Sequence, residues 1–493
     1  MAARLAVPTA DAKVREALRL QYKQPQTLFG EGPAERRARL RDVMLEHALA
    51  HPSSESMQTG SGRADSGSDS ESESDDEFYT RGPATLKSAR LHVAATSLVA
   101  SRDRLRVAQR LQQTPIEQRK QTLAAYYRQW QNVDVIASEV ADSRPLSGCR
   151  FSRDGKLIAS SSWSGTVKIW DADTLQVLRT CREHTDRVTG LDFHPDTQMT
   201  DASAMDTNTP SHETSERVHM ASGAIDGVVA LWSLSRSAPV RLLANHKARV
   251  GRVAFHPTGR YLYSTSFDHS WHMTDVETGD LLLLQEGHAC PVFGLAVQDD
   301  GALVATGDDN GNGIVWDTRT GRRVMALQGH VDTVLCMDWS PNGFHLASGA
   351  SDHAVRIWDL RKTRQASMLT VHKNIVSGVR YLHRHDFALP SSPRASSTTG
   401  DDQQLDCNDD QADDEAHAAS PSSWLWHHQT NGSVLATCGY DGSLRLSTQN
   451  EYKSFKTYRS LENKITGMDL SPSGTRMIIS SYDKSLKLYG PDL

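Results

Sequence analysis

A chain of 493 residues exceeds what one ordinary hydrophobic core holds, so its length predicts several domains or a repeat architecture. Hydrophobic residues make up 38% and charged residues 23% of the chain, a balance that excludes a wholly disordered protein. Its 54 basic and 60 acidic residues leave a formal net charge of −6, which on its own disfavours a nucleic-acid partner.

Cysteine usage and apolar runs narrow the class further. The six cysteines include no Cys-x-x-Cys pair, which disfavours a disulfide framework or a structural zinc site and indicates reduced thiols in an intracellular protein. The N-terminal residues lack the apolar stretch of a secretion signal, and no apolar run approaches the ~18 residues of a membrane span. We therefore expect a soluble protein without a metal, a cofactor or a membrane partner.

Residues 10–50 are predicted to form two short helices. Val14, Leu18 and Tyr22 recur every four residues as one apolar stripe, and Pro33 stands where the first turn of a second helix accepts proline. Composition alone indicates a small helical hairpin that binds a partner. The string TLFGEGPAERRARLR within it closely resembles the splicing-factor motif of pre-mRNA processing proteins.

Residues 51–80 are predicted to be an acidic, disordered linker. Residues 53–77 carry a net charge of −7 and almost no apolar side chains, so they cannot bury a core. The charge then changes sign, because residues 81–130 carry a net charge of +8.

Residues 81–132 are predicted to form basic helices, with apolar and aromatic residues at roughly helical spacing and Pro115 opening a second helix. A basic helix with interleaved aromatic residues fits contact with an RNA backbone. The candidate residues for RNA or partner binding are Lys87, Arg90, Arg102, Arg104, Arg106, Arg110, Arg119, Lys120 and Arg128. The alternative is a solvated face on helices that pack against the rest of the chain or a protein partner.

Residues 133–493 contain an internal repeat with a period of 42 residues. Short β-branched strings such as TVKIWD, NGIVWD and AVRIWD end each unit. The units end, in chain order, at Trp170, Trp232, Thr274, Trp316, Trp358, Ser447 and Tyr489. Two longer intervals predict polar loop insertions near 197–217 and 386–424.

Three further markers keep the same period. An aspartate stands six positions before most unit ends, a serine or threonine ten positions before them, and a histidine 22 residues before the aspartate once insertions are subtracted. The marked residues include His184, His246, His288, His330 and His372, Ser222 and Ser348, and Asp226, Asp268, Asp352 and Asp441, together with Trp170, Trp232, Trp316 and Trp358. Four markers in one register resemble the WD-repeat family, whose repeats are four-stranded blades of a β-propeller.

The resemblance implies a mainly β fold, a seven-bladed WD40 β-propeller with an α-helical N-terminal extension. The repeat region without its insertions is about one strand short of seven blades. We expect residues 133–143 to supply the missing outer strand and to close the ring by pairing with the C-terminal strand, because an open ring would leave exposed sheet edges.

The histidine, serine and aspartate of each blade have the residue types of a catalytic triad. The same set recurs in five blades, and in WD-repeat proteins it forms a buried hydrogen-bond network with the tryptophan. No G-x-S-x-G, HExxH or GxxxxGK[ST] string accompanies it. We therefore expect a structural network and no enzyme.

A candidate binding face follows from the same register. In WD-repeat proteins the residue before the turn aspartate lies on one rim of the disc, and here the apolar members of this set are Trp163, Ile225, Phe267, Tyr440 and Tyr482. Arg187 and Arg249 each follow a blade histidine by three residues and line the same face. Such residues are typical anchors of protein interfaces, so we expect a protein partner here. The alternative is that the aromatic residues cap the blades internally.

The splicing-factor motif, the acidic linker, the basic helices and the propeller together resemble the pre-mRNA processing factor four family of the spliceosomal U4/U6 small nuclear ribonucleoprotein. The resemblance implies a non-catalytic scaffold of the U4/U6 and U4/U6·U5 tri-snRNP particles in the nucleus. The implied partners are pre-mRNA processing factor three, cyclophilin H (through residues 84–135), other tri-snRNP proteins, and the U4/U6 snRNAs directly or indirectly.

The alternative function is a substrate receptor of a cullin-type ubiquitin ligase, because residues 316–319 and 358–361 match the WDxR box of that class. The net charge does not decide against RNA. Residues 53–77 and 390–420 each carry −7, so the total of −6 conceals the basic segment between them.

Overall fold

The computed structural model describes residues 11–20, 22, 24–25, 33–50, 84–198, 217–384, 421–459 and 463–491. The predicted acidic linker and most of the two predicted insertions lie outside these residues. The chain divides into two compact units, one with residues 1–83 and 285–289 and one with residues 84–284 and 290–493.

The first unit contains the two helices predicted near its start, α1 (Asp11–Leu20) and α2 (Pro33–Ala50). Val14 and Leu18 of α1 pack against Leu40 of α2, and all three are fully buried. Tyr22 and Met44 border this cluster. The four-residue spacing that predicted an apolar stripe therefore does form the contact between the helices.

The second unit begins with two long helices, α3 (Ala84–Gln113) and α4 (Ile116–Gln131), separated by Pro115 at the N-terminus of α4. The strand β1 (Val133–Val140) follows directly. A further helix, α5 (Pro421–Thr430), lies between β22 and β23, which are bounded below. The second insertion, predicted as a polar loop over 386–424, therefore overlaps the start of a helix.

Seven four-stranded antiparallel sheets form the blades of a propeller within the described residues. Blade one comprises β2 (Leu146–Phe151), β3 (Leu157–Ser162), β4 (Thr166–Asp171) and β5 (Val177–Arg182). Blade two comprises β6 (Val188–Phe193), β7 (Met220–Ala224), β8 (Val229–Trp232) and β9 (Pro239–Leu243). Blade three comprises β10 (Val250–Phe255), β11 (Tyr261–Ser266), β12 (Trp271–Asp275) and β13 (Leu281–Gln285).

The remaining blades repeat this order. Blade four comprises β14 (Val292–Val297), β15 (Leu303–Asp308), β16 (Gly313–Asp317) and β17 (Arg322–Leu327). Blade five comprises β18 (Val334–Trp339), β19 (His345–Ala350), β20 (Val355–Asp359) and β21 (Arg364–Leu369). Blade six comprises β22 (Val376–Tyr381), β23 (Val434–Gly439), β24 (Leu444–Thr448) and β25 (Ser454–Tyr458). Blade seven comprises β26 (Ile465–Leu470), β27 (Met477–Ser481), β28 (Ser485–Pro491) and, as its outer strand, β1.

The closure predicted from the repeat count is confirmed by the pairing of β1 with β28. The two strands run antiparallel from Val133 opposite Pro491 to Val140 opposite Ser485, with a register shift between Val135 and Ala137. N-terminal and C-terminal parts of the repeat region therefore share one sheet, and blade seven has no unpaired edge on β28.

Burial falls from the second strand of a blade to the fourth. Every residue of β3, β11 and β23 is buried, whereas β21 alternates between exposed and intermediate positions. The inner strands are covered on both faces by neighbouring blades, so both side-chain rows are apolar or hydrogen-bonded. The outer strand meets solvent and retains the two-residue alternation.

Successive antiparallel strands place their connections alternately on the two faces of the propeller. We call "upper" the face made by the loops before each innermost strand and the turns between second and third strands, and "lower" the opposite face. Arg104 of α3 pairs with Asp300 at 2.7 Å and donates to the carbonyl oxygen of Asn342 at 2.7 Å, both in lower-face loops. The hydroxyl of Tyr126 on α4 donates to the carbonyl oxygen of Gly474, also on this face.

Helices α3 to α5 therefore lie against the lower face. The ring of Trp426 on α5 packs edge-on against Tyr126, with ring centroids 5.6 Å apart. No helix within the described ranges is long and apolar enough to cross a membrane.

The register of the closing pair predicts which cysteines can be cross-linked. Ser138 stands opposite Lys487, so the variant S138C/K487C should form a disulfide on oxidation and raise the free energy of unfolding by about 2–4 kcal/mol. Non-reducing electrophoresis and thermal unfolding measure the two effects. The control E139C/K487C places its side chains on opposite faces of the sheet. Equal cross-linking of both variants would contradict this register.

Candidate functional site

Blades two and five contain the complete set of histidine, serine, aspartate and tryptophan, which we call the blade tetrad. In blade five, the Nδ1 of His330 lies 2.8 Å from Asp352 Oδ2 and its Nε2 lies 2.8 Å from Ser348 Oγ. The indole nitrogen of Trp358 donates to the same Oγ at 2.9 Å. Blade two repeats these contacts at 3.3, 2.8 and 2.8 Å among His184, Asp226, Ser222 and Trp232.

The chemistry of the partners orients the hydrogen bonds of the tetrad. An ionised carboxylate only accepts, so His330 Nδ1 must donate to Asp352. Burial lowers the pKa of His330 despite the opposing effect of Asp352, so the imidazole is neutral and its Nε2 accepts from Ser348. The indole of Trp358 then donates to the serine oxygen. The two imidazole nitrogens, the serine oxygen and the indole nitrogen of this tetrad are therefore all paired.

The aspartate also fixes the turn in which it stands. Its second oxygen, Oδ1, accepts from the backbone nitrogen two residues later, as Asp352 does from Ala354 at 3.0 Å and Asp226 from Val228 at 2.9 Å. The residue after the aspartate position has a positive φ, and a Cβ at Gly165 would approach the carbonyl oxygen of His184 to 2.5 Å. One carboxylate thus joins the turn to the loop that carries the histidine.

Other blades contain parts of the tetrad. In blade three, His246 contacts Asp268 at 3.0 Å and Ser264 at 2.7 Å, while Thr274 replaces the tryptophan. In blade six, His372 contacts Asp441 and Thr437. Blades one and four keep the indole bond, from Trp170 to Ser160 and from Trp316 to Thr306, both at 2.8 Å. His288 is buried, and in its repeat Asn310 stands at the aspartate position of the sequence.

Asp142 occupies the histidine position of blade one, which the sequence interpretation missed. It accepts hydrogen bonds from Ser164 and, at 2.9 Å, from Thr166. Burial opposes its charge, but hydrogen bonds from serine side chains and from the backbone of Ser143 lower the pKa of Asp142 to about 2. The signal was available, because residue 142 lies 22 positions before Ser164, the spacing of the other histidines.

The tetrad reproduces the hydrogen-bond order of a catalytic triad but not its setting. Ser348 is 1% exposed, and the indole of Trp358 occupies a lone pair that a nucleophilic oxygen would need. The same arrangement occurs in blade two, also buried. Nothing in this geometry gives a substrate access to the serine, so the arrangement supports a structural role.

In the part of the chain that the structure describes, one group of potential metal ligands stands in blade three. Ligand atoms of His246, Asp268 and His272 lie within 4.8 Å of one another. The two imidazoles are stacked, with centroids 3.7 Å apart and planes at 12°, so their in-plane lone pairs run parallel and do not converge on one point. Burial, with the neighbouring His246, lowers the pKa of His272 to about 3. The geometry is that of a stacked ring pair, with no convergent set of ligand atoms.

The predicted rim residues do lie together on the upper face. The backbone N–H of each rim residue donates a hydrogen bond to the carbonyl oxygen of the residue before the innermost strand. Phe267 donates to Arg249 in this way, and Tyr482 donates to Lys464. Trp163, Ile225, Phe267 and Tyr440 are half-buried and Tyr482 is 43% exposed. They therefore form a continuous arc over blades six, seven, one, two and three, which we call the rim arc.

Cations cover the rings of the rim arc. The guanidinium carbon of Arg187 lies 4.3 Å from the centroid of Trp163, and that of Arg249 lies 3.5 Å from the centroid of Phe267. The ring of Trp163 also meets Tyr482 edge-on at 5.5 Å. The rings thus pack partly against neighbours and still present surface to solvent.

The basic residues of α3 and α4 do not form one surface. Arg104 is engaged with Asp300, and Arg90 is half-buried beside Gly321 with its pKa lowered by burial, so these two do not belong to an open RNA-binding face. The backbone of Arg119, also half-buried, accepts a hydrogen bond from Gln429 of α5. Lys87, Arg102, Arg106, Arg110, Lys120 and Arg128 remain on the exposed side.

A charged network that sequence reasoning missed surrounds the lower mouth of the propeller. Its residues each stand second from the end of an innermost strand. Arg380 pairs with Asp338 at 2.8 Å and with Asp469 at 3.6 Å. Arg150 pairs with Asp469 at 3.7 Å. Each of these aspartates accepts a backbone hydrogen bond from the next blade, from Tyr381 to Asp338 and from Phe151 to Asp469. These groups line a cavity of about 290 Å³.

His383 extends this network to blade four. Its Nδ1 lies 3.0 Å from Asp299 Oδ2 and its Nε2 lies 3.3 Å from Asp338 Oδ2. Burial alone would lower its pKa, but the two carboxylates raise the pKa of His383 well above its ordinary value. Burial also raises the pKa of Asp192, at the same strand position in blade two, to about 6. The cavity is bordered by charges that are already paired.

Two protein families match the sequence. The family described as "WD domain, G-beta repeat" matches residues 138–171, 175–233, 237–275, 279–317, 321–359 and 452–490. The family described as "pre-mRNA processing factor 4 (PRP4) like" matches residues 14–43, in the first unit. The inner strands of blade six lie outside the matched stretches, yet β22 to β25 complete a sheet.

Individual relatives align over parts of the chain. An uncharacterized WD repeat-containing protein of Schizosaccharomyces pombe is 36% identical over 263 residues, which is 53% of this chain and 52% of the relative. Human U4/U6 small nuclear ribonucleoprotein Prp4 is 33% identical over 189 residues, 38% of this chain and 35% of the relative. The PRP4 protein of Saccharomyces cerevisiae is 26% identical over 287 residues, 57% and 56% of the two chains. The chain thus spans between about a third and somewhat over half the length of these relatives.

Removing the shared hydroxyl of a tetrad tests its structural role. Ser348→Ala leaves His330 Nε2 and the Trp358 indole buried without their partner, so the free energy of unfolding should fall by about 2–4 kcal/mol. Chemical denaturation measures it. Ser351→Ala, in the adjoining turn, should stay within about 0.5 kcal/mol of the parent chain. Equal stability of the two variants would contradict the assigned role.

The lower-face network predicts a pH dependence. A raised pKa in the folded state stabilises the fold below the unfolded pKa, and this contribution is lost as pH rises through the folded pKa. The variant H383Q should therefore be destabilised most near pH 6, by about 1–3 kcal/mol, and less at alkaline pH. Thermal unfolding across pH measures the difference.

The control for this variant is His194→Gln. Burial lowers the pKa of His194, so the parent loses stability on acidification below the ordinary histidine pKa and the control variant does not. The two variants should thus show opposite pH trends relative to the parent. Parallel trends would show that His383 is not the proton-binding group of the network.

Proposed function

This chain belongs to the WD-repeat family of β-propeller proteins, and from that premise we propose that it is a non-catalytic scaffold of the spliceosomal U4/U6 small nuclear ribonucleoprotein, acting in pre-mRNA splicing in the nucleus. The observation that carries the proposal is the PRP4-like match at residues 14–43 on the same chain as the propeller. A propeller alone would not suffice, because this fold serves many functions.

The buried state of the tetrads supports a scaffold over an enzyme. Ser222 and Ser348 are closed off from solvent, and the carboxylates at the lower mouth are paired with arginines or backbone nitrogens. What the described residues do offer to solvent are two broad surfaces, the rim arc and the outer side of α3. Broad surfaces with aromatic or apolar anchors serve macromolecular binding.

The outer side of α3 carries a leucine stripe that the other described residues leave exposed. Leu91, Leu98 and Leu105 recur every seven residues, and each is more than half exposed. Leu86, Ala89 and Val93 form the opposite, buried side of the helix, so the stripe is not needed for its packing on the propeller. We assign this stripe to cyclophilin H, the partner that the resemblance implies for the segment between the motif and the propeller.

The cullin-receptor alternative finds no supporting observation in the WDxR boxes. Arg319 makes two hydrogen bonds of 3.0 Å to Asp317 of its own box, and Arg361 makes two of 3.3 Å to Asp359. Both arginines thus stabilise the ends of their third strands. They serve the blade whether or not an adaptor binds.

Affinity purification of the tagged full-length chain, followed by RNA sequencing and mass spectrometry, tests the proposal. We expect enrichment of U4 and U6 RNAs and of pre-mRNA processing factor three. In the same experiment, Leu98→Asp should deplete cyclophilin H at least about tenfold and leave the RNAs in place, because a charge at a contact centre opposes docking.

The matched control is Val99→Asp, an apolar position of α3 that is 51% exposed and lies about 100° around the helix from Leu98, outside the stripe. It adds the same charge and should retain cyclophilin H. Capture of a cullin adaptor without RNA would overturn the proposed function. Retention of cyclophilin H by the Leu98 variant would overturn only the assignment of the stripe.

A further inference from the structure

The rim arc combines stacking surfaces with unneutralised positive charge. Among the described residues, Arg187, Arg249 and Lys464 form no ion pair, and their cationic groups lie over ring faces. Lys464 stands 5.5 Å from the ring centre of Tyr440 and 5.9 Å from that of Tyr482. Flat groups and cations therefore alternate along the arc.

Further cations border the same arc. The loops and turns that carry it also expose Arg144, Lys247, Lys373 and Lys484. The turn aspartates of these blades contribute little negative surface, because Asp226, Asp268 and Asp441 point their carboxylates at the blade histidines and are 17%, 12% and 10% exposed. Asp483, the turn aspartate of blade seven, is 27% exposed and lies 3.7 Å from Lys487. Among the described residues of these loops and turns, the exposed carboxylates are those of Glu183 and Asp186.

Among the described residues, the opposite part of the upper face lacks both the aromatic rim residues and the positive charge of the arc. Blades four and five present Asp309 and Ser351 at the rim positions, and Asp309 accepts a hydrogen bond from Thr333 at 2.7 Å. Asp332 adds another exposed carboxylate. The upper face is thus divided into a basic, aromatic arc over five blades and an acidic, polar remainder over two.

We propose that the rim arc binds single-stranded RNA, with bases stacked on the rings and guanidinium planes and phosphates held by the bordering cations. Unpaired bases can reach such platforms, whereas bases inside a duplex cannot. The guanidinium of Arg249, 3.5 Å above Phe267, extends that ring's stack and leaves its outer face for a base.

The charge of the arc favours RNA over a protein partner. The cores of protein interfaces are enriched in tyrosine, tryptophan and arginine but depleted in lysine. The arc places Lys464 between two tyrosines, and Lys247, Lys373 and Lys484 beside it. Lysines arranged around stacking platforms are what a phosphate backbone requires.

An RNA site on the rim arc deepens the proposed function. It rests on that proposal only for the identity of the RNA that is bound in the cell. The site lies on the face opposite α3 and α4, whose basic residues the sequence predicted as the RNA contacts. RNA and the α3 partner would therefore occupy different faces of the propeller.

Fluorescence anisotropy of the purified full-length chain with a short labelled oligouridine tests the site. We expect the single strand to bind more tightly than an RNA duplex. The variant W163A/F267A should weaken binding about tenfold for each base that loses its platform. R187A/R249A should also weaken binding and reduce the slope of log affinity against log salt by about 1.4.

Two further variants distinguish the effect of charge from that of stacking, and the effect of the arc from that of the rest of the upper face. R187K/R249K keeps both charges but loses the planar groups, so it should retain the salt slope and still bind more weakly. D309N/S351A changes the same rim positions in the polar blades and should not weaken binding. Thermal unfolding of the arginine variants should match the parent, because Arg187 and Arg249 are exposed, and W163A/F267A, whose rings are half-buried, is assayed well below its own unfolding midpoint.

Several outcomes would overturn the inference. It falls if the parent chain does not bind the single strand, if R102A/R106A on α3 abolishes binding while the arc variants retain it, or if the arc variants lose a protein partner with RNA affinity unchanged. If U4 and U6 RNAs co-purify from cells but the pure chain binds no RNA, the proposed function stands and the inference fails. If the pure chain binds through the arc but no snRNP co-purifies, the inference stands and the proposed function fails.

Discussion

The shared carboxylate of each turn aspartate is the interaction on which the upper face depends. One oxygen holds the turn closed through a backbone nitrogen, and the other accepts from the histidine of the preceding loop. The residue before the aspartate is the rim residue, and in blades two and three the residue three after the histidine is an arginine, Arg187 or Arg249, immediately before the innermost strand. The buried hydrogen bond between His246 and Asp268 therefore holds their neighbours Arg249 and Phe267 in contact at the surface.

The propeller uses its two faces differently. The lower face is closed by side chains that are distant in sequence, with Arg104 bound to Asp300 and Tyr126 bound to Gly474. Its central charges neutralise one another from blade to blade. A face so covered offers little unpaired charge, whereas the upper face keeps Arg187, Arg249 and Lys464 without carboxylate partners. The basic character that composition located in the helical segment is therefore matched by a second basic surface on the propeller.

Periodic features could be predicted from the sequence, and contacts between distant segments could not. The 42-residue spacing predicted the blades, and counting strands predicted that β1 closes the ring, because both follow from one repeated unit. The pairing of Arg104 with Asp300 joins residues 196 apart and leaves no trace in spacing. Helix α5 was missed because a polar insertion masked the short apolar string around Trp426, whose role is its contact with Tyr126. Asp142 was missed for a different reason, since the 22-residue spacing marks its position but the residue there is not a histidine.

Seven similar blades pose a problem of recognition that the rim resolves. The tetrad residues are buried beneath the turns, completely present in blades two and five and partly in other blades, so they cannot contact a ligand and read its direction around the ring. An asymmetric ligand such as a single strand, which has a direction, must be read by positions that vary. In the described propeller these are the rim residues, which change from Tyr482 and Trp163 to Asp309 and Ser351 while the aspartate or its substitute beneath them persists. Conserving the network within the repeat and varying only the residue beside it gives a symmetric scaffold an oriented binding surface.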